Sequence, residues 1–244
     1  MPRFNIPRVP KRFFGIELET DSGQVPTLSN HRGFGQHRDV TVLGWEFTSP
    51  KLKGSVGLRR LRDFMADGTG IRVSRRCGFH AHFETRVSNH NDPSYLTDPQ
   101  LYAVIAAYIA TQDRWFSLVA SSRQRNNWCH TWPARFMGEF VDAGMAGRSF
   151  REGINFDRYH WLNISAYLEH GTFENRLHQG TWNFGKVRNW IRLNLRFIKA
   201  ASRIQMGRTR RLSTFRERAD MCMDYALAAP GSGARLPRAL RVTA

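Results

Sequence analysis

Cysteine is scarce in this 244-residue chain: Cys77, Cys129 and Cys222 are odd in number and widely spaced, which excludes a disulfide framework and a zinc ribbon. The pattern suits a reducing compartment, so a cytoplasmic location is expected. No window offers the roughly 18 consecutive apolar residues of a membrane span, so no membrane partner is expected. The N-terminal MPRFNIPRVPKRFF lacks an apolar h-region and a small-residue cleavage site, which argues against a secretory signal. Internal repeats are missing as well. Acidic residues are in deficit: 20 Asp and Glu stand against 37 Lys and Arg, a net charge of +17. The deficit is concentrated from Lys186 onward, where 14 basic and 3 acidic residues leave +11 of the total. Such a surface favours an anionic partner (a nucleotide, a nucleic acid or an acidic protein), or it is simply a solvated basic helix face.

What is present is enough for a folded body. Hydrophobic residues at 41% and aromatics at 12% supply a core. The pattern reads as an extended arm over 1–11, one α+β domain over 12–228, and a basic, Gly- and Pro-containing flexible tail over 229–244. Strands are expected at 13–20, 44–50 and 77–85, and a tight hairpin at 161–168 and 172–178. Helices are expected at 55–67, from Asp98 as N-cap to about Val119, after Asn183, and at 213–228. The segment SSRQRNNWCHTW between the second helix and the hairpin reads as a loop. On the helix after Asn183, Val187, Trp190, Ile191, Asn194, Leu195 and Ile198 recur at helical spacing. Trp190 and Phe197 fall on this stripe, so they read as core more readily than as bases' stacking partners.

The chemistry lies in the strands. In RFFGIELETDSG, alternation puts Glu17 and Glu19 on one face, with Ile16 and Leu18 on the other. Like charges side by side repel, so this pair asks for a positive partner. CGFHAHFET likewise presents His80, His82 and Glu84 opposite Phe79, Ala81 and Phe83. TFENRLHQGT presents Thr172, Glu174, Arg176 and His178 opposite Phe173 and Leu177, and GWEFTSP adds Glu46. One antiparallel sheet with an apolar back would gather these groups on its front. Carboxylates favour Mg²⁺ or Mn²⁺, and histidine admits Mn²⁺ or Zn²⁺. Arg123, Arg125 and Arg176 could neutralise phosphates there, as phosphoryl transfer requires. A metal-dependent hydrolase is a weaker alternative, because no HExxH helix is present.

The order FGIELET, GWEFTSPKLKG, CGFHAHFE, SSRQRNNWCH, GTFENRLHQGT resembles the amidoligase family, carboxylate–amine ligases of phage and bacteria in the glutamine synthetase and glutamate–cysteine ligase superfamily. The resemblance covers roughly residues 12–200. It implies an antiparallel saddle of glutamine synthetase catalytic-domain type backed by helices, with ATP and Mg²⁺ (or Mn²⁺) on the saddle. It implies Glu17, Glu19, Glu46, Glu174 and His80 as metal ligands, and His82 and Arg123 near the nucleotide. Arg176 would hold the transferred phosphoryl group, with Arg125 as a second arginine and Asp39 placed for substrate binding. The implied reaction joins a small-molecule or peptide carboxylate to an amine through an acyl phosphate. The implied setting is cytoplasmic (host cytoplasm for a phage-encoded chain), with a homo-oligomer expected from related ligases. Asn175 departs from the pattern, since relatives carry an apolar or aromatic residue there. That departure leaves a degenerate ligase fold, binding nucleic acid or an acidic partner, as the alternative.

Overall fold

The computed structural model describes residues 9–38, 42–153, 156, 158–208, 211–228 and 237–240. Residues 1–8 of the expected arm, Asp39, and all but 237–240 of the expected tail lie outside that set. Within it, strands run Phe13–Thr20 (β1), Ser22–Gln24 (β2), Gly35–His37 (β3), Trp45–Thr48 (β4), Leu52–Lys53 (β5), Thr69–Arg72 (β6), Gly78–Glu84 (β7), Leu162–Asn163 (β8) and Thr172–Gln179 (β9). The helices are Gly54–Ala66 (α1), Asp98–Ala110 (α2), Gln112–Ser117 (α3), Ser121–Gln124 (α4), Arg135–Met145 (α5), Ala166–His170 (α6), Phe184–Ala201 (α7) and Leu212–Leu227 (α8).

The architecture is α+β. An antiparallel sheet has the order β3-β4-β1-β7-β9-β8, with β5 paired to the start of β1, and helices cover one of its faces. That face is formed by the alternate apolar residues of the three central strands. Phe14, Ile16 and Leu18 of β1, Phe79, Ala81 and Phe83 of β7, and Phe173 of β9 are all buried. Against them sits α2, buried on every side from Leu101 to Ile109 and flanked by α5, α7 and α8. A helix apolar all round belongs in an interior, and this one is the centre of the core. No helix of the described residues is long and apolar enough to cross a membrane.

Four local expectations need correction. The N-cap of α2 is Thr97, not Asp98: its hydroxyl accepts from Gln100 N while Gln100 Oε1 accepts from Thr97 N, a capping box. The helix also stops at Ala110, nine residues before Val119, where Thr111 Oγ1 turns back onto Ala107 O at 2.8 Å. Within the expected loop, Ser121–Gln124 makes one helical turn. The hairpin exists, since Leu162 pairs with Asn175 and Asn163 with Glu174, but α6 connects its arms in place of a tight turn. Asn163 Oδ1 accepts from Ser165 N and Oγ, which bends the chain out of the strand, and Gly171, at φ +67°, ends α6 in a left-handed cap.

The departure at Asn175 has a physical explanation. It lies on the helix side of the sheet, fully buried, and donates to Asn194 Oδ1 of α7 at 2.9 Å. The same oxygen accepts from Tyr108 O–H of α2 at 2.8 Å, and Asn194 Nδ2 donates to Trp190 O. A buried amide is tolerated only when its groups are paired, and here the pairs join sheet, α2 and α7. On α7, Trp190 and Phe197 are buried, as the apolar stripe requires. Arg192 and Arg196 donate to Ala228 O and Tyr225 O at the end of α8, satisfying carbonyls a helix terminus leaves open.

Strand β9 carries one irregularity that matters. Phe79 pairs with His178, but Ala81 pairs with Asn175, so Arg176 and Leu177 together face His80 in a β-bulge. Strict alternation places His178 beside Glu174 and Arg176. The bulge instead swings it to the helix side, where its ring meets Phe79 at 5.4 Å and Trp190 at 5.0 Å. Burial pushes the His178 imidazole down to about 4, and the charges of Lys186 and Arg123 act in the same direction. The folded chain therefore keeps His178 neutral while the unfolded chain takes up a proton near 6.5. Stability should be full above about pH 6.5 and fall as pH drops toward 4, by up to about 3 kcal/mol from this group. Urea unfolding at pH 7 and pH 4.5 measures the loss, and His178→Gln should shrink it.

Candidate active site

Registration of the three central strands builds the site. Glu17 of β1 lies opposite His80 of β7, and His82 of β7 lies opposite Glu174 of β9. Outward along β1, Glu19 lies opposite Glu46 of β4. The solvent face of the sheet thus collects four carboxylates and two imidazoles, as the alternation expects. They form the floor of a cavity of about 770 Å³ whose lining includes six arginines, Arg75, Arg76, Arg123, Arg125, Arg158 and Arg176. The floor is acidic and the wall is basic.

Hydrogen bonds hold the carboxylates together. His80 Nδ1 lies 3.1 Å from Glu17 Oε2 and 3.2 Å from Glu174 Oε1, while its Nε2 is 3.5 Å from Glu19 Oε1. His82 Nε2 is 3.0 Å from Glu17 Oε1, and its Nδ1 meets Thr172 Oγ1. Arg176 Nη1 donates to Glu174 Oε1 at 2.7 Å, and Asn163 Nδ2 donates to its Oε2 at 2.8 Å. Glu19 Oε2 accepts from Gly78 N at 2.5 Å. A Cβ on Gly78 would come within 2.7 Å of His80 Nε2, so glycine is the residue that lets the imidazole lie there.

These contacts set the charges. Burial alone would raise the Glu17 carboxyl, but hydrogen bonds from His80 and His82 carry it well below the usual carboxylate range. Burial alone would lower His82, but its hydrogen bond to Glu17 and the charge of Glu174 raise it. Burial also opposes the Arg176 charge, yet Glu174 beside it raises the guanidinium above its ordinary value.

The cavity gathers most of the expected residues. Glu17, His82 and Glu174 offer ligand atoms that all lie within 4.8 Å of one another, an arrangement that could hold a metal ion. His80, the histidine expected as ligand, sits among three carboxylates, and Glu19 and Glu46 line the same cavity. Arg176 and Arg125 line it too. Arg176 Nε is buried and has no hydrogen-bond partner among the described residues. Glu84 is not in the lining; it is buried and ion-paired with Lys51. Asp39 lies outside the described residues.

Arg123 lines the cavity, and it also braces the strand beneath it. Its Nη2 donates to Arg176 O at 2.6 Å and its Nε to Leu177 O at 3.4 Å, the two carbonyls of the bulge. Cys129 Sγ also reaches Arg176 O, at 3.2 Å. The turn of α4 therefore exists to seat a buried guanidinium on the irregular part of β9. Sequence reasoning missed Asn163, whose register opposite Glu174 depends on α6 standing in place of a tight turn, and Arg75, Arg76 and Arg158, which sit in stretches without periodicity.

A family model described as "Putative amidoligase enzyme" matches residues 11–198 of this chain, so the chain belongs to that amidoligase family, one of ligase-type enzymes. A comparison with curated proteins gives no match. The matched stretch contains every strand of the cavity floor and ends within α7.

The bulge support is testable by itself. Arg123→Met removes the donors to both carbonyls and should lower unfolding free energy by about 2–3 kcal/mol, since hydrogen bonds from a charged donor are among the stronger ones. Urea melts measure it, and Arg123→Lys, which cannot span both carbonyls, should recover only part of the loss.

Proposed function

We propose that this chain is an ATP-dependent carboxylate–amine ligase that forms an amide through an acyl phosphate, with the sheet serving as a floor of glutamine synthetase catalytic-domain type. One observation carries the reading. A carboxylate–imidazole floor faces arginines within one cavity. Acidic groups alone would suit a metal, and arginines alone an anion. Their conjunction suits a metal–polyphosphate pair.

Glu17, Glu174 and His82 would hold a divalent ion, with Glu19, Glu46 and His80 beside them. Such an ion, Mg²⁺ or Mn²⁺, would neutralise charge on the phosphoryl group in transit. Arg176 would bind the transferred phosphoryl oxygens from the cavity wall, with Glu174 fixing the guanidinium plane. Arg125 is exposed on the wall of the same cavity and is the second phosphate-binding arginine in this reading. Arg123 acts indirectly, by holding the bulge that aims Arg176. Asp39 stays assigned to the substrate side, on the family resemblance.

The reaction balances as two displacements. A substrate carboxylate oxygen bonds to the γ-phosphorus as the bridging P–O bond breaks, giving the acyl phosphate and ADP. An amine nitrogen then bonds to the acyl carbon, inorganic phosphate leaves, and the proton lost by nitrogen passes to a cavity carboxylate or to water. Two recesses adjoin the central cavity, one sharing Glu169 and His170 with it and the other sharing Arg75, Ser122 and Arg125. They give a carboxylate and an amine separate approaches, and small molecules or peptides both suit them.

ADP release should therefore require ATP, a divalent ion, a carboxylate and an amine together. Glu17→Ala and Glu174→Ala should each lower it by on the order of 100-fold or more while leaving the circular dichroism spectrum unchanged. Calorimetry showing no ATP binding with Mg²⁺ or Mn²⁺ present would sink the ligase reading.

A further inference from the structure

Seven tryptophans occur in the chain, and one of them is out of character. Trp115, Trp132 and Trp161 are fully buried, and Trp190 nearly so. Trp128 is 48% exposed, and it lines the central cavity. A half-exposed indole on the wall of a polar cavity offers a flat apolar face with a polar edge to whatever enters.

The exposure is built in by a fixed turn. Asn126 Oδ1 accepts from Trp128 N at 2.7 Å, and Asn126 O accepts from Cys129 N at 3.1 Å. Cys129 is buried against Arg176 O, and His130 N donates to Tyr159 O at 2.8 Å. The indole is thus held between two anchors that belong to the site. Tyr159 stands beside it, with ring centroids 5.3 Å apart and planes at 58°. Arg158 lies near the Tyr159 ring, and Arg125, three residues before Trp128, lines the same cavity.

We propose that Trp128 is the platform on which the base of the bound nucleotide stacks, with Tyr159 as its buttress. This rests on the reading of the cavity as a nucleoside-triphosphate site and adds to it the end at which the base lies. The arrangement is an aromatic face flanked by arginines, which suits a π-system carrying a phosphate chain. Stacking tolerates any base, because each presents a π-face, so adenine and guanine nucleotides should bind with similar affinity.

Calorimetry with Mg²⁺ separates base from phosphates, using ATP and inorganic tripolyphosphate as the two probes. Trp128→Ala should weaken ATP binding by about tenfold and leave tripolyphosphate binding within about twofold of the unaltered chain. Trp128→Phe, which keeps an aromatic face, should retain most of the ATP affinity. Equal losses for both probes, or none for either, would overturn the stacking role while leaving the ligase reading in place. If the unaltered chain binds neither probe, the nucleotide reading and the stacking role fall together.

Discussion

Glu17 sits between two histidines, and the front of the molecule depends on that arrangement. Four carboxylates on neighbouring strands would repel one another and loosen the sheet. Here each of the three innermost is tied to a donor: Glu17 to His80 and His82, Glu19 to Gly78 N, and Glu174 to Arg176 and Asn163. The paired histidines are therefore structural counterparts to the acids as much as they are site residues. A divalent ion entering this floor would compete for the same oxygens, which makes the floor both a stabilised arrangement and a ready one.

The floor is possible only because the back of the sheet is so heavily committed. Phe79, Ala81, Phe83 and Phe173 share one core with a helix buried from Leu101 to Ile109, and Asn175, Asn194 and Tyr108 lock the layers by paired polar groups. Apolar burial at roughly 25 cal/mol per Å² fixes which face of each strand points outward, and the charged face follows by alternation. Register then decides the neighbours, bringing Glu17 to His80 and His82 to Glu174.

The bulge in β9 divides what its strand does. On one side of it Arg176 points into the cavity, and on the other His178 is turned into the core against Trp190. Arg123 and Cys129 meet the carbonyls that the irregular ladder leaves open. The loop that supplies them also supplies Arg125 and Trp128 to the cavity wall, so one short segment both mends the strand and shapes the site. In this segment a residue that braces the strand sits next to residues that line the cavity.

Alternation by itself determined β1 and β7, the face that carries Glu17, Glu19, His80, His82 and Glu174, and the helix after Asn183. These depend on periods of two and 3.6 residues, which the order of apolar residues states directly. Four features were not legible: His178 on the core side, Arg123 on the bulge, the helix in the hairpin, and Arg75, Arg76, Arg158 and Trp128 around the cavity rim. Each depends on a contact between distant segments. A bulge changes parity without any mark in local sequence, and an arginine in a loop reads the same whether it meets phosphate or a carbonyl. The sequence determined which groups share a face; only the tertiary structure decided which of them remain available for chemistry, because availability depends on what else each group touches.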